Sequence, residues 1–564
     1  MPDRNGTDAP SSLVVGVTGH RHLRAAEIPV LQEQVRAFLI ELQARYPDLP
    51  LVLLSSLAEG TDQLAAQVAF DLGLRVVAPL PMPAELYRDD FSDAGRVALF
   101  EHQRQHADVL TLPLRPGSSL EAIAHPGPAR DQQYAQAGIF VSSHCHILLA
   151  LWDGHDSDKL GGTAQVVRFH LQGEMPGQLE RRRRMALAQL GLDEDTVVFH
   201  IPASRDGSEE SLLSQGCWLT YEQDIVAHDE LPEGFDLLFR GQAEFNVDSR
   251  KYAEAIAADV VAAPDACPIH RLFGIADWLA RTYQRRVSHV LRITYVLAAL
   301  MGFAFFSYTH IASRDVVIYL FLALFLTGMG VVLLTKRRQW QRKYLDYRAL
   351  AEGLRVQSYW RRAGIVDLNT HAFAHDNFLQ KQDEDLGWIR NVMRSASLEG
   401  MLVPAEEGAP QVDAVISEWI GTPEGGGQLG YFSVTAERRE RLHRRAELLG
   451  LCCLWFGVGV SAVLAIFARQ FDAHLKDILV AAMGIASVAA AVHEAYAYKK
   501  ADKELIKQYR FMLRIFNAAR RRLSTSTGAA EKRQVLHTLG EAALAEHAEW
   551  TLMHRARPVQ HSRL

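Results

Sequence analysis

Hydrophobic positions change character twice along the chain. Over the first 200 residues, short apolar runs alternate with amphipathic stretches. "LVVGVTG" (13–19), "LVLLSS" (51–56), "RVVAPLP" (75–81), "HILLALW" (146–152) and "TVVFHIP" (196–202) are β-branched or fully apolar and of strand length. Between them, Ile28, Leu31, Val35, Phe38, Leu39 and Leu42 recur at helical spacing, and helices are also expected over 61–73 and about 131–142. Strands alternating with helices predict an α/β Rossmann-like domain with a parallel sheet covered on both faces. In such sheets a ligand sits where strand C-termini meet helix N-termini.

From about residue 288 the pattern becomes long and apolar. Residues 293–313, 316–335, 448–468 and 478–498 each run for about 20 residues, enough to cross about 30 Å of hydrocarbon. Only the last carries an ionisable pair, His493 and Glu494, expected at the interface near Lys499. The runs form two close pairs, predicting an α-helical membrane domain of four transmembrane helices in two hairpins. Basic segments lie outside each pair ("RTYQRRVSHVLR", "KRRQWQRK", "ERRERLHRR", "YKKADKELIK"), whereas the connections within the pairs are short and nearly neutral. This asymmetry predicts a multi-pass protein of the cytoplasmic membrane with both termini cytoplasmic.

The hairpins repeat each other. Each is followed by Tyr-Arg and an amphipathic stretch, "YRALAEGLRVQSYWRRAG" (347–364) and "YRFMLRIFNAARRRL" (509–523). Trp340, Tyr344, Tyr347, Ala351, Leu354 and Ser358 alternate spacings of four and three, a coiled-coil seam on a helix expected to continue from the second span. The seam packs against its repeat or against a second subunit, so a homo-oligomer is expected. The resulting division is a disordered N-terminus (1–12), a nucleotide-binding domain (13–205), a connecting helical region (206–287), the first hairpin with its stalk helix (288–364), a cytosolic linker (365–445), the second hairpin with its helix (446–523) and a helical tail (524–564).

Composition narrows the chemistry. The chain is 48% hydrophobic and 22% charged, the balance of a folded protein, and its net charge of −6 argues against a general nucleic-acid binder. Five scattered cysteines contain no CxxC, so neither a disulfide framework nor a zinc site is indicated. His144 and His146 of "HCHI" would share a strand face, without the further ligands zinc needs, so no metal is expected. The polar N-terminus lacks the apolar core of a secretory signal.

Three glycine-containing loops follow predicted strands. In "GVTGHRHL", Gly16 and Gly19 permit close approach, Thr18 and His20 supply donors, and Arg21 suits a bidentate phosphate contact. In "SSLAEGTDQLAA", Gly60 allows the turn, Thr61 suits an N-cap, and Ser55, Ser56, Glu59 and Asp62 line the mouth. In "GGTAQVV", Gly161, Gly162 and Thr163 leave free N–H groups at a helix start, a place for an anion. Tyr87, Asp90, Tyr134 and Asp153 complete the expected lining. None of the three loops fits the Walker lysine pattern or GxGxxG.

These motifs, with "PLPMPAELYRDDF" (79–91) and "RDQQYAQAG" (130–138), make residues 13–205 resemble the SLOG group, Rossmann-like relatives of the Lonely Guy phosphoribohydrolases and of DprA. "KYLDYRALAEGLRVQSYW" (343–360) makes the second half resemble SLATT-type membrane hairpins. The resemblance implies a nucleotide-derived ligand and a sensor that disrupts the envelope in prokaryotic antiphage or conflict defence. The related hydrolases read Pro-Gly-Gly-x-Gly-Thr-x-x-Glu at the last loop. Aligned on Thr163, that glutamate falls at Val166, beside Gln165. Neither is a carboxylate, which favours binding over hydrolysis. A membrane-anchored N-glycosidic hydrolase using Glu59 or Asp153 stays open, as does a ligand-regulated channel or transporter.

Overall fold

The computed structural model describes residues 10–157, 159–175, 179–180, 196–208, 211–221, 224–259, 267–310, 314–366, 373–375, 378–379, 384–403, 411–467, 469–499 and 502–555. It divides into two compact units: 1–276 with 349–411, and 277–348 with 412–564.

The first unit is built on an eight-stranded mixed sheet. In chain order the strands are β1 (Leu13–Gly19), β2 (Leu51–Leu54), β3 (Arg75–Leu80), β4 (Asp108–Thr111), β5 (Ile147–Trp152), β8 (Val197–Pro202), β9 (Cys217–Tyr221) and β10 (Ile225–His228). A separate two-stranded ribbon pairs β6 (Glu174–Met175) with β7 (Leu179–Glu180). The sheet order is β10-β9-β8-β5-β1-β2-β3-β4, parallel from β8 to β4 and antiparallel at β9 and β10. Every residue of β2 and β5 is buried, as a sheet covered on both faces requires. The Ile28–Arg45 helix packs there through Phe38, stacked on Phe199 of β8 at 4.1 Å and edge-on to Trp218 of β9 at 5.7 Å.

Two stretches differ from the sequence reading. The 206–287 region is not wholly helical: "CWLTY" and "IVAH" form the antiparallel edge. Their four or five residues are too few to establish a strand period against the surrounding polar positions. Within the 365–445 linker, the Gly387–Leu402 helix belongs to the sheet unit and is buried almost throughout. Asn391 O accepts from His146 Nε2 at 2.9 Å, Arg394 donates to Cys145 O at 3.3 Å, and Glu399 pairs with Arg75. The pattern of "DNFLQKQDEDLGWIRNVMR" (376–394) predicts a helix; residues 376–377 and 380–383 lie outside the described residues, and the helix itself starts at Gly387. At the N-terminus, residues 1–9 lie outside the described set, but Ser11 is buried and its N–H donates to Asn246 Oδ1 at 3.1 Å. Order therefore begins before residue 13.

The second unit is helical. Pro268–His310, Asp315–Arg338, Gly427–Phe467 and Ala473–Lys499 contain the four apolar runs, each long and apolar enough to cross a membrane. Val316 and Ile466, each 73% exposed, show that their outer faces are apolar, the surface that lipid covers. Spans one and four meet through small residues. A Cβ on Gly302 would lie 2.5 Å from Val488, and one on Gly484 would lie 2.2 Å from Phe306. Tyr295 hydroxyl donates to Ala495 O at 3.0 Å near one end of this contact.

The helix after span two does not run on unbroken. Gln339 has φ +47°, and a new helix, Trp340–Arg362, starts beyond it. Its predicted seam is also too narrow: Tyr347, Ala351, Leu354 and Ser358 are buried, but so are Leu350, Gly353, Val356 and Gln357. It is a bundle helix enclosed on most sides. The C-terminal helix Ala529–Arg555 docks at its start, where Arg555 bonds Asp346 at 2.8 Å and Trp550 meets Tyr344.

Candidate functional site

The chain runs outward from β1 through β2, β3 and β4, then returns to the other side of β1 with β5. The β1/β5 boundary is therefore where the strand order reverses, the position at which α/β sheets open a crevice. The loops after β1, β2 and β5 all emerge at this end.

The first two loops are locked together. His20 N–H continues the ladder to Leu151 O at 3.0 Å, and His20 O accepts both the N–H and the hydroxyl of Thr61, at 3.1 and 3.0 Å. Thr61 thus ties the loop to the next helix instead of capping it, and Gly60 holds the N-cap position. Gly60 has φ +88°, and a Cβ there would fall 2.1 Å from Arg21 O. The same tight approach explains Gly19, where a Cβ would meet Thr61 Oγ1 at 2.4 Å. Gly16 is farther back: a Cβ there would strike Cys145 Sγ at 2.8 Å, so it serves packing of the sheet. Thr18, on β1, is half-buried.

The Ser55–Gly60 loop is turned inward. Ser55 is fully buried and receives the Leu57 N–H at 3.2 Å. The Asp62 carboxyl is enclosed by this loop. Burial pushes it up to about 7, against hydrogen bonds from Ala58, Ser55 and Ser56 and the charge of Arg21. Glu59 receives Ser92 N–H at 2.8 Å and Ser92 Oγ at 2.5 Å, with Arg96 3.7 Å away. It braces the 91–96 segment and offers no free carboxylate.

Tyr87, Asp90 and Tyr134 converge around a residue that sequence reading left out of the site, Arg130. Arg130 is 3% exposed and pairs with Asp90 Oδ2 at 2.9 Å, while donating to Ile123 O and Leu86 O at 2.5 and 2.8 Å. Tyr134, one turn along the Pro128–His144 helix, also bonds Asp90. The i,i+4 spacing of Arg130 and Tyr134 was the available signal. Tyr87 is buried beside Phe91 and Phe100, which raises its pKa. Arg21 lies over the Tyr134 ring, its guanidinium carbon 4.7 Å from the centroid. Among the described residues Arg21 has no ion pair, and its guanidinium makes no hydrogen bond.

The glycine loop after β5 touches the same tyrosine. Gly161 has φ +70°, and a Cβ there would lie 2.8 Å from Ala135 N and 3.1 Å from Tyr134 C. Its N–H is not free, because Gln165 Oε1 accepts it at 3.1 Å. Gly162 N–H donates to Lys159 O at 2.9 Å. At the start of the Thr163–Gln172 helix the amides open to an anion are those of Thr163 and Ala164. Val166 is buried against Gly138, a core position.

Asp153 closes the crevice from the other side. Its N–H donates to His20 Nε2 at 2.9 Å, and its carboxylate pairs with Arg205 at 2.8 Å. Burial pushes Asp153 up, but the His155 N–H and the charge and hydrogen bond of Arg205 outweigh it and leave the pKa lowered. His20 is depressed, chiefly by burial, as befits a neutral ring whose Nε2 accepts. Arg205, in the loop after β8, carried no local pattern by which sequence could place it here.

The two histidines of "HCHI" do not share a strand. His144 ends the Pro128–His144 helix and bonds Phe140 O, whereas His146 Nδ1 accepts Val14 N–H at 2.9 Å. Among the described residues, no group of three or more His, Cys, Asp or Glu is placed to hold a metal. What the arrangement offers is a cation on an aromatic face beside two helix-start amides, suited to an anionic ligand. No family model matches the chain, and no curated protein matches it.

Proposed function

We propose that this chain is a membrane-bound sensor whose SLOG-like, Rossmann-like unit binds a nucleotide-derived anion and whose SLATT-like helical unit then alters or permeabilises the cytoplasmic membrane, as a homo-oligomer, in prokaryotic defence. The observation that carries the reading is Arg21, half-buried on Tyr134 at the β1/β5 reversal and in no direct ion pair among the described residues. A guanidinium held this way is a receptor for phosphate. The Thr163 and Ala164 amides follow Gly161, which packs on the Tyr134 backbone, and would take further phosphate oxygens. Binding in preference to hydrolysis is supported by Val166 and Gln165 at the position of the related glutamate, one in the core and one bonded to Gly161.

Signal transfer follows the chain. It passes between the two units within the helices Pro268–His310 and Trp340–Arg362 and after Gln411. A ligand shifts the membrane helices only as far as it favours one of their states over the other.

The test uses full-length protein. A fragment ending near residue 280 would lack the Gly387–Leu402 helix, which bonds Cys145 and His146 just before β5 and Arg75 of β3. Nucleoside monophosphates and NAD are titrated calorimetrically into wild type and Arg21→Ala. Binding that Arg21→Ala loses supports the reading, and equal heats from both sink it. A potential-sensitive dye on proteoliposomes then asks whether the bound ligand depolarises the membrane.

A second reading, a membrane-anchored nucleotide hydrolase, rests on Asp62. Its buried carboxyl near pKa 7 lies within the field of Arg21 and is suited to proton transfer. Base released from the same ligands, and lost in Asp62→Asn, would favour it.

A further inference from the structure

We infer that the base of the first hairpin is a binding site for anionic phospholipid headgroups, and a stronger one than the base of the second hairpin, whose basic flank is interleaved with acids. The inference rests on the four apolar helices lying in a bilayer and is independent of any ligand at the sheet.

The first hairpin carries cations with nothing to neutralise them. No Asp or Glu occurs from Trp278 to Arg314, or from Val316 to Leu345. Within these stretches Arg285 and Arg292 approach span one, and Lys336, Arg337 and Arg338 leave span two. All five are exposed, and among the described residues none has a side-chain hydrogen bond or ion pair. The two arms are brought together. Gln284 Nε2 donates to Tyr344 hydroxyl at 3.1 Å, and the Arg286 guanidinium lies 6.0 Å from the Trp340 ring centroid. Trp340 is two residues beyond Arg338, just past the left-handed break at Gln339. That break turns the chain where hydrocarbon gives way to headgroups, with the indole at the level interfacial tryptophans occupy.

The second hairpin has its own acids. Glu440 accepts Arg444 at 3.2 Å and Arg510 at 2.6 Å, and Glu447 lies 3.1 Å from His443. Glu437 adds a further charge on the same helix. These acids hold His443, Arg444 and Arg510, while Arg438, Arg441 and Arg445 stay exposed without an ion pair among the described residues, so acids dilute this cluster without cancelling it. At the far end of the first hairpin, Arg314 is followed by Asp315, so no uncompensated cluster exists there. An uncompensated group of five cations beside apolar helices is complementary to a phosphodiester surface. A soluble acidic protein is disfavoured as occupant because the cations begin at the first residue outside each apolar run.

The test uses the full chain in detergent micelles, with retention of phosphatidylglycerol and phosphatidylcholine read by native mass spectrometry. Wild type is expected to retain phosphatidylglycerol selectively. Lys336→Gln/Arg337→Gln/Arg338→Gln should weaken that retention by at least about tenfold, given roughly a fivefold contribution per interfacial cation. Arg438→Gln/Arg441→Gln/Arg445→Gln in the second hairpin should weaken it by a clearly smaller factor, because Glu437 and Glu440 on the same helix repel the headgroup. Equal retention of the two lipids by wild type, or equal loss from both triple variants, would overturn the inference. Carbonate extraction of membranes expressing each variant separates this outcome from failure of the membrane reading. If wild type itself is extracted, the four helices do not span.

Discussion

The side-chain oxygen of Gln165 accepts the N–H of Gly161 at 3.1 Å, reaching back from the first turn of its helix to the loop before it. This bond takes one of the amides that a glycine-rich loop would otherwise offer a phosphate. It also fixes Gln165 pointing toward the ligand side. Gln165→Glu keeps the acceptor and adds negative charge at the helix start. Nucleoside monophosphate binding should weaken by about tenfold, because a carboxylate there competes with the phosphate for the helix end. No base should be released, since the substituted side chain remains committed to Gly161. Calorimetry reads the first outcome and chromatography of the products reads the second. Tight binding with base release would show that a single carboxylate completes an active site.

Gly60 and Gly73 provide a matched pair for testing the loop lock. Both have positive φ, +88° and +71°, but only Gly60 has neighbours where a Cβ would go. Gly73→Ala meets only the backbone penalty, about 1 kcal/mol. Gly60→Ala adds a collision with Arg21 O and His20 O, and should cost more than about 3 kcal/mol or prevent folding. Thermal melts of the two variants separate conformation from contact. Similar losses would mean that the β1 and β2 loops are less tightly joined than the His20–Thr61 bonds indicate.

The strands that sequence identified correctly are those with unbroken apolar runs. β1, β2, β3, β5 and β8 sit inside the sheet, where both faces are buried and the run itself is the signal. The four membrane-length helices were legible for the same reason. The Gly387–Leu402 helix was legible only in its first half, and its burial in the sheet unit was not legible, because its buried faces carry Arg390, Asn391, Arg394 and Ser395. Arg394 and Ser395 bond Cys145 O and the Ser11 hydroxyl, hundreds of positions away, and no local pattern announces such partners. The site was legible at its glycines and at Arg21. The inward turns of Ser55 and Glu59 were hidden, since donors and acceptors alone do not show which of them the protein consumes.

Two buried groups pull pH dependence in opposite directions. Asp62 is raised to about 7, so between about pH 4 and 7 the folded state holds a proton that the unfolded chain has released. Its contribution therefore falls as pH rises through that window. His146 is depressed to about 3, chiefly by burial and then by Arg394. Below about pH 6.5 the unfolded chain binds a proton that folded His146 refuses, so stability falls as pH falls. The two slopes oppose each other between pH 4 and 6.5. Asp62→Asn should unmask the histidine slope, with a melting temperature that climbs steadily from pH 4.5 to 6.5. It should also stabilise the fold near pH 8, by at most about 4 kcal/mol at roughly 1.4 kcal/mol per pKa unit. A variant whose stability is flat across pH, or lower at pH 8 than wild type, would show that Asp62 is ionised in its loop.

Arg348 and Arg510 stand at matching places in the two Tyr-Arg repeats, and each pairs with an acid on the helix leading into a span. Arg348 reaches Asp277 at 3.1 Å, and Arg510 reaches Glu440 at 2.6 Å. Their surroundings differ. The first pair is 25% and 16% exposed, and the second 59% and 34%. Tyr347 beside the first is buried against Tyr283, with ring centroids 5.8 Å apart. Desolvation makes the loss of one partner costly, even though Asp277 keeps its pair with Arg281 at 2.9 Å. Arg348→Ala should thus destabilise the helical unit by about 2 kcal/mol, a shift of several degrees in melting temperature. Arg510→Ala should shift it little, since exposed pairs are screened and their side chains stay mobile. Arg348→Lys separates charge from shape. If Asp277 needs only a cation, lysine restores most of the loss. If the planar guanidinium is required, lysine behaves as alanine does, and the first repeat is held by geometry that the second does not share.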